Sequence, residues 1–193
     1  NGTTQAISGL ENPYLKENLA FSLQMKTTAD ALPLFAADKN IELFTKHKIF
    51  TETEIRSRCE IMLDNYCKVL QIEALTMLEM VRKEILPAVL SYIKELSEMA
   101  LNKKQLSLPI ELEESLVARL SSLAGCLSKK ADHLDICLIE TKNHTTVEKC
   151  ANYFEDSVLT AMAELRAVAD ELEVITAKKY WPYPTYGDLL FSV

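Results

Sequence analysis

Three histidines and five cysteines are the residues whose spacing must be tested first for chemistry in this 193-residue chain. A carboxylate-bridged dimetal bundle needs Glu-x-x-His on two helices, because residues three apart share a helix face. The residues three before His47, His133 and His144 are Phe44, Lys130 and Thr141, so that pattern is absent. Glu140 and His144 stand four apart and can pair, an arrangement that more often closes a helix end than holds a metal. Asp132, His133 and Asp135 mix acid and base, but sequence neighbours on a helix point to different faces. The cysteines, at 59, 67, 126, 137 and 150, are odd in number, include no C-x-x-C and all fall in helix-like segments. That suits buried thiols in a reducing compartment better than a disulfide framework. Cys126 lies near Lys129 and Lys130, a setting that can activate a thiol, yet a buried structural role is the favoured reading. No phosphate-cradling G-x-x-x-x-G-K, dinucleotide G-x-G-x-x-G or nucleophile motif occurs. Met77 and Met80 read as core filler rather than a recognition groove. No catalytic, cofactor-binding or metal residue is assigned, and the chain is read as non-catalytic on its own.

The C-terminal stretch YWPYPTYGDLLFSV is different. It holds Tyr180, Trp181, Tyr183, Tyr186 and Phe191, five of the chain's 14 aromatic residues. Pro182 and Pro184 push their predecessors into extended backbone, so no helix runs through them. Pro184 to Gly187 can turn, with Gly187 free to take a positive φ, before three large apolar groups from Leu189. Chain ends are normally polar and frayed. This one is read as a docking tail, with Trp181, Tyr183, Tyr186, Leu189 and Phe191 as the docking residues. It either caps its own bundle or seats on a surface outside the chain, where Trp and Tyr are favoured anchors.

The elements that position this tail are helices. Four glycines leave little for hairpins or tight turns. A first helix opens at TTADALP, capped by Thr28 or Asp30, with Pro33 in its first turn, and runs to about Lys46. Thr51 with Glu54 forms a capping box, with Phe50 as a hydrophobic staple, opening a helix that continues to about Lys104. Ile55, Cys59, Met62, Tyr66 and Val69 are expected to line its buried face. VLQIEALTMLEMV, residues 69–81, is apolar on nearly every side and is expected to be surrounded by protein. Pro87 should kink this helix, and a rod of on the order of 80 Å should reach beyond its own bundle. Ser107 and Pro109 launch a third helix over about 110–142, lined by Leu112, Leu116, Leu120, Leu123, Leu127, Leu134 and Leu138. Gly125 is tolerated inside it. A second capping box, Thr145 with Glu148, opens a fourth helix over about 146–178. Short connections make neighbours antiparallel. The fold class is therefore an all-α antiparallel helical bundle with one very long helix kinked near Pro87 and an irregular aromatic C-terminal tail. Residues 1–27 form an irregular lead-in, 28–179 the bundle and 180–193 the tail.

The net charge of -7 resides in residues 109–176, where acids outnumber bases, and no basic stripe exists. That argues against nucleic acid as a partner. No apolar run reaches the ~18 residues of a membrane span and no signal peptide precedes the chain. Starting at Asn rather than Met, it reads as a piece of a longer polypeptide.

KTTADALP, then IELFTKHKIFTETEIRSRCEIMLDNYCKVLQIEALTMLEMVRKEILPAV, and finally WPYPTYGDLLFSV resemble the C-terminal region of type III glutamine synthetases. The resemblance covers roughly residues 26–193. It implies a cytoplasmic parent enzyme of nitrogen metabolism that condenses glutamate with ammonia through a γ-glutamyl phosphate, using ATP and magnesium. It implies that the catalytic machinery lies upstream, in segments absent from this chain. The partners implied are that upstream catalytic domain and further copies of the polypeptide in stacked hexameric rings, with this region as a structural and assembly element. A stand-alone cytosolic helical-bundle interaction protein is the alternative.

Overall fold

The computed structural model describes residues 27–184 and 186–191, and every described element is helical. In order these are α1 (Thr28–Phe35), α2 (Asp38–Lys46), α3 (Glu52–Met80), a π turn (Val81–Ile85) and α4 (Leu86–Gln105). There follow α5 (Glu111–Glu140), a 3₁₀ turn (Thr141–Asn143), α6 (Val147–Tyr153), a second π turn (Phe154–Val158), α7 (Leu159–Ile175) and α8 (Tyr186–Phe191). The all-α expectation holds, including a single helical run of 54 residues from α3 through α4. The lead-in expected over residues 1–27 falls, but for Thr27, outside the described residues.

The chain divides into two compact units. One comprises the residues up to Lys68 with His144–Glu155, the other Val69–Asn143 with the residues from Asp156 onward.

In the first unit, Thr27 caps α1 by accepting from Asp30 N at 3.3 Å, one residue before the expected Thr28. The first helix is two. It breaks at Ala36 and Ala37, and Asn40 Nδ2 then donates back to Leu34 O at 2.6 Å. Phe35, Phe44 and Phe50 form a chain of rings with centroids 5.7 and 5.9 Å apart. Arg58 lies 4.7 Å over the Phe50 ring. The Thr51 capping box closes in both directions. Thr51 N donates to Glu54 Oε2 at 2.8 Å and Glu54 N to Thr51 Oγ1 at 3.3 Å. The second expected box is replaced by a simple cap. Thr146, not Thr145, caps α6 and accepts from Lys149 N at 3.4 Å.

In the second unit, ion pairs fix the register. Lys103 meets Glu113 while Arg82 meets Asp132 at 3.1 Å and Asp135 at 2.8 Å, so α4 and α5 run antiparallel. Arg119–Glu171 at 2.9 Å and Lys130–Glu164 at 2.6 Å set α7 antiparallel to α5 in the same way. Leu120, Leu127, Leu134 and Leu138 of α5 are buried, as are Val158, Leu165 and Leu172. Leu116 and Leu123 are half-buried and Leu112 is exposed, so the leucine stripe is a core face only from Leu120 onward. The Asp132–Asp135 pair flagged in the sequence is thus a clamp for Arg82.

The buried face of the long helix differs from the expected one. Ile55 and Cys59 are buried, but Leu63, Cys67, Leu70, Ala74 and Leu78 follow them rather than Met62, Tyr66 and Val69. Repeated steps of four carry the stripe away from a face drawn with alternating threes and fours. Nor is 69–81 surrounded: Val69 is 45% and Ile72 65% exposed, on the side opposite Leu70 and Ala74. Around Pro87 the helix answers with a π turn. Leu86 N–H donates to Val81 O, five residues back. The wider turn accommodates the ring and the missing N–H that proline brings to a helix interior.

Candidate functional site

The site is built where the chain leaves α7, in the second unit. Thr176 turns extended (ψ 132°) while its N–H still donates to Leu172 O, and a tight turn follows, with Tyr180 N donating to Ala177 O at 2.8 Å. Two side chains pin that turn to α4. Lys179 Nζ lies 2.7 Å from both Glu95 oxygens, and the Tyr180 hydroxyl donates to the same carboxylate. The Tyr180 ring packs on Tyr92, centroids 5.3 Å apart, and Lys179 sits 4.9 Å from the Tyr180 centroid. Lys179, and then Tyr180, hold the Glu95 carboxyl below its ordinary range.

Beyond that anchor the two X-Pro pairs follow as non-helical backbone with a bend at Tyr183. Trp181, Tyr183 and Pro184 form one wall of a cavity of about 580 Å³. Met77, Met80, Val81 and Ile85 form a second wall, and Leu159, Met162 and Ala163 of α7 a third. Arg166, Asp170 and Glu173 contribute from farther along α7. Most of the lining is apolar, and three methionines make it adaptable. Trp181 Nε1 is buried without a hydrogen-bond partner, and the Tyr183 hydroxyl is buried beside the Glu84 carboxylate. The Tyr183 phenol is pushed up to about 12, by burial first and then by the neighbouring Glu84 carboxylate. A buried indole N–H without a partner carries the desolvation cost of an unmade hydrogen bond.

Of the residues singled out in the sequence, Trp181 and Tyr183 meet at this cavity, whereas Leu189 stands away from it, 65% exposed beside an equally open Leu190. The backbone of Tyr186 and Phe191 belongs to α8, where Gly187 is helical; the side chains of Tyr186 and Phe191 lie outside the described residues. Asp188 pairs with Lys178. Met77 and Met80, read as core filler, are cavity lining. Their i, i+3 spacing with Trp181 downstream was the available signal, but apolarity in a sequence does not distinguish a filled core from an open one.

Other titratable groups among the described residues serve packing and ion pairing. Among the described residues no three His, Cys, Asp or Glu side chains converge as a metal site. His133 Nδ1 lies 3.7 Å from Cys137 Sγ on a single helix turn, but Cys137 is buried. In the first unit, burial and then Cys150 push the Cys67 thiol up to about 12, and burial also raises Cys59, whose Sγ donates to Leu32 O at 3.2 Å. Thiols so placed stay protonated and are poor nucleophiles.

Residues 19–104 match the family described as the glutamine synthetase C-terminal domain. The chain is 39% identical to the glutamine synthetase of Butyrivibrio fibrisolvens over 175 residues, 88% of this chain and 24% of that protein. The chain belongs to the glutamine synthetase family, as its C-terminal domain. It is also 29% identical to the type-3 glutamine synthetase of Dictyostelium discoideum, over 86% of this chain and 24% of that protein. With the glutamine synthetase of Bacteroides fragilis it shares 25% identity, over 84% of this chain and 23% of the relative. The chain thus spans about a quarter of the length of these relatives. The family match ends at Lys104, whereas the alignments to whole glutamine synthetases extend over most of the domain.

Proposed function

We propose that this chain is a non-catalytic, structural and assembly element of a type III glutamine synthetase, a polypeptide that joins glutamate to ammonia with ATP and magnesium. The observation that carries the reading is the alignment of 88% of the chain with only 24% of a glutamine synthetase. A stand-alone interaction protein is not favoured by a match of that form. The described residues do not fit ATP or magnesium: no metal-ligating trio converges, and the sequence has no glycine-rich phosphate loop. Those groups belong to the upstream catalytic domain in this reading, in a cytoplasmic enzyme whose copies assemble as stacked hexameric rings. No helix among the described residues is long and apolar enough to cross a membrane.

Within that enzyme residues 1–27 link to the catalytic part, 28–179 form the bundle, and 180–193 dock. Trp181, Tyr183, Tyr186, Leu189 and Phe191 are the docking residues, Trp181 and Tyr183 as rigid aromatic anchors. The test is removal of residues 180–193 from the full-length polypeptide, followed by sedimentation and by assay of glutamine formation. Smaller assemblies or a lower melting temperature are expected. Unchanged assembly size and unchanged melting would sink the proposal.

A further inference from the structure

Two of the five thiols meet across a pair of helices. We propose that Cys67 and Cys150 are a redox pair, a modification site that a peroxide converts to a disulfide joining α3 to α6. The pair belongs to the first unit and the tail to the second, so the proposal stands whether or not the tail docks.

Placement is the first argument. In the groove between these helices, Cys59 and Leu63 of α3 line one side and Val147 and Glu148 of α6 the other. One helix turn beyond Leu63 and Val147 come Cys67 and Cys150, and the Cys67 thiol donates to Cys150 Sγ. Sulfurs in such contact need only a small approach to reach the ~2.05 Å of an S–S bond. Access is the second. Cys150 is half-buried and Cys67 buried, so a small oxidant reaches Cys150 first. Of the other thiols, Cys59 donates to Leu32 O, and Cys126 and Cys137 lie in the second unit.

Proton placement is the third argument. Burial, and then Cys150 itself, keep the hydrogen on Cys67. The Cys150 thiolate attacks one peroxide oxygen. An S–O bond forms, the O–O bond breaks, and the leaving hydroxide takes up the proton that Cys150 released. The Cys67 sulfur then attacks the sulfenic sulfur of Cys150. The S–S bond forms, the S–O bond breaks, and the departing hydroxyl takes the Cys67 proton and leaves as a second water. Two thiols lose two electrons and one peroxide gains them. Cys67 is a weak nucleophile towards a free molecule, and its fixed contact with Cys150 offsets that weakness.

The test treats the full-length polypeptide with hydrogen peroxide, blocks free thiols with N-ethylmaleimide and reads the unreduced peptides by mass spectrometry. A peptide pair joining Cys67 to Cys150, lost on adding dithiothreitol, is expected. Dimedone, which captures sulfenic acids, should label Cys150 about tenfold more in Cys67→Ser, where the second thiol is gone. Cys126→Ser should leave the linked peptide unchanged. Circular dichroism of both variants confirms that the helices persist, and the linked peptide in the unsubstituted polypeptide needs no variant. Cys150 left unoxidised at peroxide concentrations that oxidise Cys126 would overturn the proposal. So would dimedone capture at Cys150 that is equal with and without Cys67, or a Cys150 disulfide to any other cysteine.

Discussion

The two units hold their helices together by different chemistry. In the first, the ties between helices include a thiol on a carbonyl, Cys59 to Leu32, the Cys67–Cys150 contact and the ring chain Phe35, Phe44, Phe50, around a core of Ile55, Leu63 and Phe154. The ion pairs Arg56–Glu52 and Lys68–Asp64 there are local, each within one helix turn. In the second, charged side chains reach between helices at Arg82, Lys103, Arg119 and Lys130, over a leucine core. Apolar burial provides the stability of both, since exposed pairs add little. What the pairs add to the second unit is register: they specify which turn of one helix faces which turn of the next. In the first unit α1, α2 and α6 are short, and caps and ring packing set their phase instead.

The sharpest way to break this comparison is to cut a cavity in each core. Phe154→Ala should cost about 3–5 kcal/mol and Leu165→Ala about 2–5 kcal/mol, both being fully buried. Amide hydrogen exchange should lose protection first in the unit that carries the change, and equal loss in both would show that the division has no energetic meaning. A smaller effect tests the caps. Thr51→Ala and Thr146→Ala should each cost about 1 kcal/mol in urea unfolding, while Thr145→Ala should cost far less. A larger loss at Thr145 than at Thr146 would reverse the assignment of the α6 cap. Gly125→Ala should raise stability by up to about 1 kcal/mol, because a Cβ there meets nothing within 4 Å and the helix gains a better former.

The pH responses are the smallest and sharpen the contrast. Glu95, Glu113 and Glu164 in the second unit all have carboxyls lowered by lysine partners, Lys179, Lys103 and Lys130 respectively. For a lowered carboxyl the stabilisation is present above the ordinary value of about 4.3 and disappears as pH falls through the folded value. Exchange protection in α4, α5 and α7 should therefore weaken on acidification, more in low salt than in high. At the alkaline side Tyr183, raised to about 12 from an ordinary 10, favours the fold below pH 10 and loses that contribution as pH climbs towards 12. Trp181 is the chain's one tryptophan, so its emission should shift red over that window as the tail leaves the cavity. No shift before global unfolding would mean that the tail is held by something other than a neutral Tyr183.

Much of this architecture could be read from residue types. The Thr51–Glu54 box, the proline-limited tail and the antiparallel succession of long helices follow from local rules that tertiary packing did not override. What escaped were choices between near-equal neighbours. Thr145 and Thr146 are both competent caps, and the decision rests on which residue takes extended backbone, here Thr146 at φ -123° and ψ 146°. Along α3, Met62 and Leu63 are equally apolar, so only the true pitch of the stripe separates them. Met77 and Met80 show the limit for the site. Their chemistry is legible, but whether packing leaves volume beside them depends on where the Lys179 and Tyr180 contacts to Glu95 place the distant Trp181.

The π turn at Val81–Ile85 carries a consequence for the gene as well as for the helix. A π turn is an α-helix with one residue inserted. Elsewhere along the 54-residue run, losing a single codon would rotate every later side chain by about 100° relative to the earlier ones. Losing one codon within this turn would instead relax it to ordinary α-helix and keep both stripes in phase. It is the place where this helix can change length by one residue, and homologous chains of unequal length should differ there first.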